Sequence, residues 1–146
     1  MSRLLEGGSG AVEVSQPILV RTASAAGMAT ILIAEDDGQM RTFLAAALRR
    51  AGHYVEAVEC GEDALEALDN TEFNLLLADV VMPGMDGIEL ARVAGERHPE
   101  IKVMFITGFA AVAMKTAAVS HGQPRVLSKP VHLKDLIRAV DRLLAD

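Results

Sequence analysis

Leu75-Leu76-Leu77-Ala78-Asp79-Val80-Val81-Met82-Pro83-Gly84-Met85-Asp86-Gly87 holds more information about the architecture than any other run of this chain. Four apolar residues in a row read as a strand buried on both faces, and the Pro/Gly turn that follows stops it. Asp79 therefore stands at the carboxyl end of a buried strand, a poor place for stability and a good place for chemistry. Three other apolar runs end in the same way. Glu35-Asp36-Asp37 follows Ile31-Leu32-Ile33-Ala34, Thr107 follows Val103-Met104-Phe105-Ile106, and Lys129 follows Arg125-Val126-Leu127-Ser128. Side by side, these strands would gather all four polar groups at one edge of a sheet.

Between the strands the apolar period changes from continuous to helical, which predicts a parallel sheet covered on both faces. Strands are expected over 30–35, 54–58, 74–79, 101–107 and 125–128, with helices over 38–51, 61–70, 85–97, 109–120 and 132–144. Met40, Phe43, Leu44, Ala47 and Leu48 form the core stripe of the first helix, which Gly52 should end; Leu133, Leu136, Ile137, Val140 and Leu144 form that of the last. The Ala-rich segment 109–120 has little to distinguish its faces. Five strand–helix units predict an α/β fold of the flavodoxin-like class: a doubly wound, five-stranded parallel sheet of order 2-1-3-4-5 with five helices. In that order the first and third strands are neighbours, so Glu35, Asp36 and Asp79 share a crevice.

The chain has 146 residues, 51% of them apolar, enough for one domain with a real core. A formal net charge of −6 argues against nucleic acid or an anionic membrane as a direct partner and favours protein partners. The single cysteine, Cys60, cannot form an internal disulfide and reads as a half-buried thiol. No apolar run approaches the length of a membrane span, and no secretory signal opens the sequence, so a cytoplasmic protein is expected. Residues 1–27 are rich in Gly, Ser and Ala without a sustained period; a disordered extension or an overlong gene start is expected there, with the domain proper over 28–146. No output domain is expected after the last predicted helix.

Carboxylates crowded into one pocket repel each other unless a cation is present. Hard oxygens with room for water suit Mg²⁺. Asp36 is expected to be the principal side-chain ligand, with Glu35 holding a coordinated water and Asp79 supplying one oxygen. Asp37 reads instead as the cap of the first helix. A carboxylate beside a divalent ion can attack phosphorus and form an aspartyl phosphate. The Lys129 ammonium and the Thr107 hydroxyl are then placed to meet the charge that spreads over the transferring phosphoryl group.

The segments ILIAEDDGQMR, DVVMPGMDG, Thr107-Gly108 and Ser128-Lys129-Pro130 resemble the receiver domain of two-component response regulators over residues 29–145. The resemblance implies phosphotransfer to Asp79 from a histidine kinase or histidine phosphotransfer protein, a Val81 backbone carbonyl on Mg²⁺, and a cis Lys129–Pro130 bond. MFITGFAAVAM and VLSKPVHLKDL further resemble CpdR-type single-domain regulators of alphaproteobacteria, which implies an adaptor that engages the unfoldase ClpX when unphosphorylated.

The common family pattern is broken at Val126, where a switch aromatic is usual, at Gly108 after the switch Thr, and at Val131, where Phe commonly follows Lys-Pro. An aromatic flip is thus not the expected readout. Phosphorylation is instead expected to repack a face formed by segment 109–120, strand 125–128 and helix 132–144, presenting Phe109, Met114, Val126 and Val131. Val81 and Phe109 are apolar where a side chain could orient an attacking water, so slow self-dephosphorylation is expected. The leading expectation is a stand-alone phosphoacceptor switch rather than an enzyme; the alternative is a phosphotransfer intermediate passing phosphate on to another histidine protein.

Overall fold

A computed structural model describes residues 28–108 and 125–145. In chain order these form β1 (Thr30–Ala34), α1 (Gly38–Arg50), β2 (Tyr54–Val58), α2 (Gly61–Asn70), β3 (Leu75–Asp79), α3 (Gly87–Arg97), β4 (Lys102–Thr107), β5 (Arg125–Ser128) and α4 (Leu133–Ala145). All strand pairs are parallel, and the sheet order is β2-β1-β3-β4-β5, as the sequence predicts. The helix expected over 109–120 lies outside the described residues, and so do residues 1–27, Phe109 and Met114.

Alternate residues of the central strands feed two separate cores. Ile31, Ile33, Leu75, Leu77, Met104 and Ile106 face α1 and α4 and pack with Leu44, Leu48, Leu136 and Val140. Their neighbours Leu32, Ala34, Leu76, Ala78 and Phe105 face α2 and α3 and pack with Ala64, Leu68, Leu90 and Ala94. This is why β1 and β3 are buried at every position and apolar at all but Thr30 and Asp79: both faces of each strand are covered. Each fully buried leucine or isoleucine here contributes roughly 1.5–3 kcal/mol.

Two stripe residues fall outside the core. Phe43 is 38% exposed on α1 and Leu133 is 47% exposed on α4, while Leu143, absent from the expected stripe, is buried. Phe43 is displaced by phase, since it sits at the border of the apolar arc of α1, whereas Leu133 is the first residue of α4 and is left open at the helix end.

The helix ends carry chemical stop and start signals. Gly52 adopts φ +104°, donates to Arg49 O at 3.0 Å, and lets His53 N reach Leu48 O at 3.1 Å, closing α1 in a Schellman motif. The third helix starts at Gly87 rather than at 85, because the Asp86 side chain accepts from Glu89 N at 2.8 Å and so ends the extended chain there. Met85 is thereby left outside the helix, packed over Gly61. Cys60 is half-buried, as expected, and its thiol accepts from Asp63 N at 3.4 Å as the cap of α2. No helix among the described residues is long and apolar enough to cross a membrane.

Candidate functional site

Strand register brings the polar groups together. Ala34 pairs with Ala78, Asp79 with Ile106, and Thr107 with Ser128, so the residues that end or follow β1, β3, β4 and β5 lie along one carboxyl edge. Carboxylate oxygens of Glu35, Asp36 and Asp79 lie within 4.8 Å of one another. Glu35 and Asp79 are buried, whereas Asp36 is exposed.

Asp79 is held from both sides. Its Oδ2 accepts from Lys129 Nζ at 3.0 Å, and its Oδ1 accepts from Val81 N at 3.2 Å. Lys129 Nζ also stands 3.5 Å from Glu35 Oε1. The lysine is aimed from β5 by its backbone, whose N–H donates to Thr107 O at 2.9 Å, and the Lys129–Pro130 bond is cis. Partial burial works against the ammonium, but the hydrogen bond to Asp79 and the charges of Asp79 and Glu35 outweigh it and hold Lys129 above the ordinary lysine range.

Glu35 is the most perturbed group. Its carboxyl is raised from 4.5 to about 7: burial is the largest cause, the Asp37 amide, donating to Oε2 at 3.0 Å, pulls the other way, the Asp79 carboxylate adds to the rise, and the Lys129 charge opposes it. Its second oxygen, Oε1, is buried with no hydrogen-bond partner. A buried carboxylate oxygen with no hydrogen bond of its own, facing two more carboxylates and only an ion-pair distance from Lys129, belongs to a hard-oxygen cluster of the kind that fits Mg²⁺. Asp37 faces elsewhere: its side chain accepts from Gln39 N at 2.9 Å and Met40 N at 3.3 Å and caps α1.

The remaining predicted residues are placed as follows. Thr107 is fully buried at the end of β4. Gly108 beside it is exposed, and a Cβ added there would meet open space. Val81 is 56% exposed at the mouth of the site. Val126 and Val131 are half-buried against the two different cores, on opposite faces of the sheet, so they are not adjacent members of one apolar patch.

Two residues at the site went unread in the sequence. Gly87 packs on the Asp79 backbone, and a Cβ there would collide with Asp79 O. Arg41 Nη1 donates to Glu35 O at 2.8 Å and reaches Asp36 O at 3.4 Å. The signal for Arg41 was its place on the first turn of α1, from which a long side chain leans back toward the helix amino terminus and the acidic loop.

Comparison with known proteins agrees with this geometry. The family model described as the response regulator receiver domain matches residues 31–141. The response regulator receiver protein CpdR of Brucella abortus (strain 2308) is 51% identical over 117 residues, which span 80% of this chain and 98% of that protein. Among solved structures, a response regulator receiver protein from Sinorhizobium medicae WSM419 is similar with a TM-score of 0.72 and 32% identity, covering 81% of this chain and 95% of that one. The chemotaxis protein CheY4 of Vibrio cholerae shares the fold with a TM-score of 0.75 at 23% identity, covering 80% of this chain and 99% of that one. With the parallel order β2-β1-β3-β4-β5, the acidic edge and a match over most of its length, this chain belongs to the family of response regulator receiver domains.

Proposed function

We propose that residues 28–146 work as a phosphoacceptor switch rather than a turnover enzyme, with Asp79 as the acceptor. The observation that carries this reading is the Lys129 ammonium seated 3.0 Å from Asp79 Oδ2 within a three-carboxylate cluster. Asp36, Asp79 and the Val81 carbonyl would hold Mg²⁺, with the Glu35 carboxylate beside them. Bound Mg²⁺ supplies positive charge against the phosphoryl oxygens.

The chain's own groups do the rest. One Asp79 carboxylate oxygen attacks the phosphorus of a phosphohistidine on a histidine kinase or histidine phosphotransfer protein. As the O–P bond forms the P–N bond breaks, and the electron pair stays on the imidazole nitrogen. Lys129 neutralises charge on the phosphoryl group, and the Thr107 hydroxyl donates to one of its oxygens, drawing the chain at Gly108 inward. The product carries roughly two negative charges where Asp79 carried one.

The consequence is a change in a protein-binding face at the β5 edge of the sheet, formed by segment 109–120, β5 and α4. Identity with a CpdR protein over nearly that protein's full length supports a single-domain adaptor whose partner is an unfoldase of the ClpX type, bound when Asp79 is unphosphorylated. Acetyl phosphate with Mg²⁺ should label the wild type and not Asp79→Asn, with the label found at residue 79 by borohydride trapping and mass spectrometry. Pull-down from lysate should recover the unfoldase with Asp79→Ala and lose it from the wild type on adding the phosphodonor. Labelling of Asp79→Asn, or equal recovery in both conditions, counts against the acceptor and the adaptor assignment respectively.

A further inference from the structure

We infer that Arg41 is a positioning residue for the divalent-cation site, fixing the peptide planes on both sides of Asp36 without touching the ion. The inference rests on the reading of Glu35, Asp36 and Asp79 as a cation cluster. The Asp36 side chain is exposed and nothing among the described residues holds it, so its backbone sets the direction of its Cα–Cβ bond and with it the region its carboxylate can reach. A peptide unit is planar, so holding its C=O or its N–H holds the whole plane. The plane between Glu35 and Asp36 is held by Arg41 Nη1 on Glu35 O at 2.8 Å. The plane between Asp36 and Asp37 is held twice, by the same nitrogen on Asp36 O at 3.4 Å and by the Glu35 carboxylate accepting from Asp37 N at 3.0 Å. With both flanking planes set, φ and ψ of Asp36 are set as well.

Helix α1 does not need this contact. Its first turn is capped by Asp37, whose side chain accepts from Gln39 N and Met40 N. The carbonyls of Glu35 and Asp36 precede that cap, so the arginine serves the acidic loop and not the helix. A guanidinium suits the task because it is planar, permanently charged and rich in donors, so that one group spans adjacent carbonyls. A lysine ammonium on a flexible stem would hold the same carbonyls less firmly. The arginine's charge works the other way, repelling a second cation nearby, so the sign of the effect separates positioning from plain electrostatics.

Isothermal titration of MgCl₂ into the full chain tests this with wild type, Arg41→Ala and Arg41→Lys, alongside thermal midpoints with and without saturating Mg²⁺. Arg41→Ala should bind Mg²⁺ roughly tenfold more weakly. Arg41→Lys should fall between, and acetyl phosphate labelling of both variants should recover at saturating Mg²⁺. Should Arg41→Ala not fold, the lysine variant carries the test by itself. Unchanged or tighter Mg²⁺ binding in the variants, with normal binding in wild type, overturns the role of Arg41 and leaves the cation site standing. Wild type that binds no Mg²⁺ overturns both.

Discussion

Gly87 lies directly against the backbone of Asp79: its N–H donates to Val80 O at 2.9 Å, and its Cα approaches so closely that a Cβ would strike Asp79 O. The start of α3 thereby forms a wall behind Asp79. The neighbouring atoms are backbone, which cannot swing aside as a side chain would.

Gly87→Ala should therefore lower stability by about 1–3 kcal/mol, the usual cost of overpacking a tight contact. Urea unfolding reads the loss, and labelling by acetyl phosphate should slow as well, because relief of the clash displaces Asp79. An unchanged midpoint would show that the two segments can separate freely.

Glu35 gives the metal-free protein a pH dependence of known sign. Its folded pKa, about 7, lies above the ordinary 4.5, so the folded state binds the proton more tightly than the unfolded chain. The stabilising contribution is complete below 4.5 and is lost as pH rises through about 7. Glu35→Gln can still accept from the Asp37 amide but carries no charge, so in EDTA its stability relative to wild type should improve from pH 5 to pH 8. Mg²⁺ should reverse that ranking, and its binding to wild type should release protons below pH 7, seen as a buffer-dependent heat in calorimetry.

His53 works in the opposite direction. Burial lowers its pKa from 6.5, against the pull of Asp141, and its Nδ1 accepts from Ala29 N at 3.0 Å, a bond that only the neutral ring can make. The stability it lends is present above pH 6.5 and is lost as pH falls through its lower folded value. The margin of wild type over His53→Gln in urea should shrink steadily below pH 6.5. A margin that does not change with pH would mean that the ring is not titrating.

Phosphoryl lifetime can be tested at Val81, which is 56% exposed at the mouth of the site and apolar. An attacking water finds no hydrogen-bond partner in that side chain. Acyl-phosphate decay in Val81→Asn combined with Phe109→Glu should be several-fold faster than in wild type, followed by loss of label over time. Equal decay rates would place the control of lifetime elsewhere.

Much of this protein was legible before any coordinates. The strands β2 and β5 and the helix α2 fall on their expected residues, and the sheet order follows from alternating apolar runs and helical periods. Those features depend on local composition and on the rule that a parallel sheet must be covered on both faces. The meeting of Glu35, Asp36, Asp79 and Lys129 was legible for the same reason: residues at the carboxyl ends of neighbouring strands meet once the strand order is known.

What only the tertiary structure decided depends on contacts between residues distant along the chain or on the direction of one side chain. The strike of a Gly87 Cβ on Asp79 O, the reach of Arg41 to two carbonyls, and the burial that lifts Glu35 to about 7 are of this kind. So is the separation of Val126 and Val131 onto opposite cores, and the outward turn of Phe43 and Leu133. Hydrophobic period sets which face of an element is buried to within about one residue of rotation. It does not set which border residue is covered, nor how close two backbones come, because both follow from the packing of the whole.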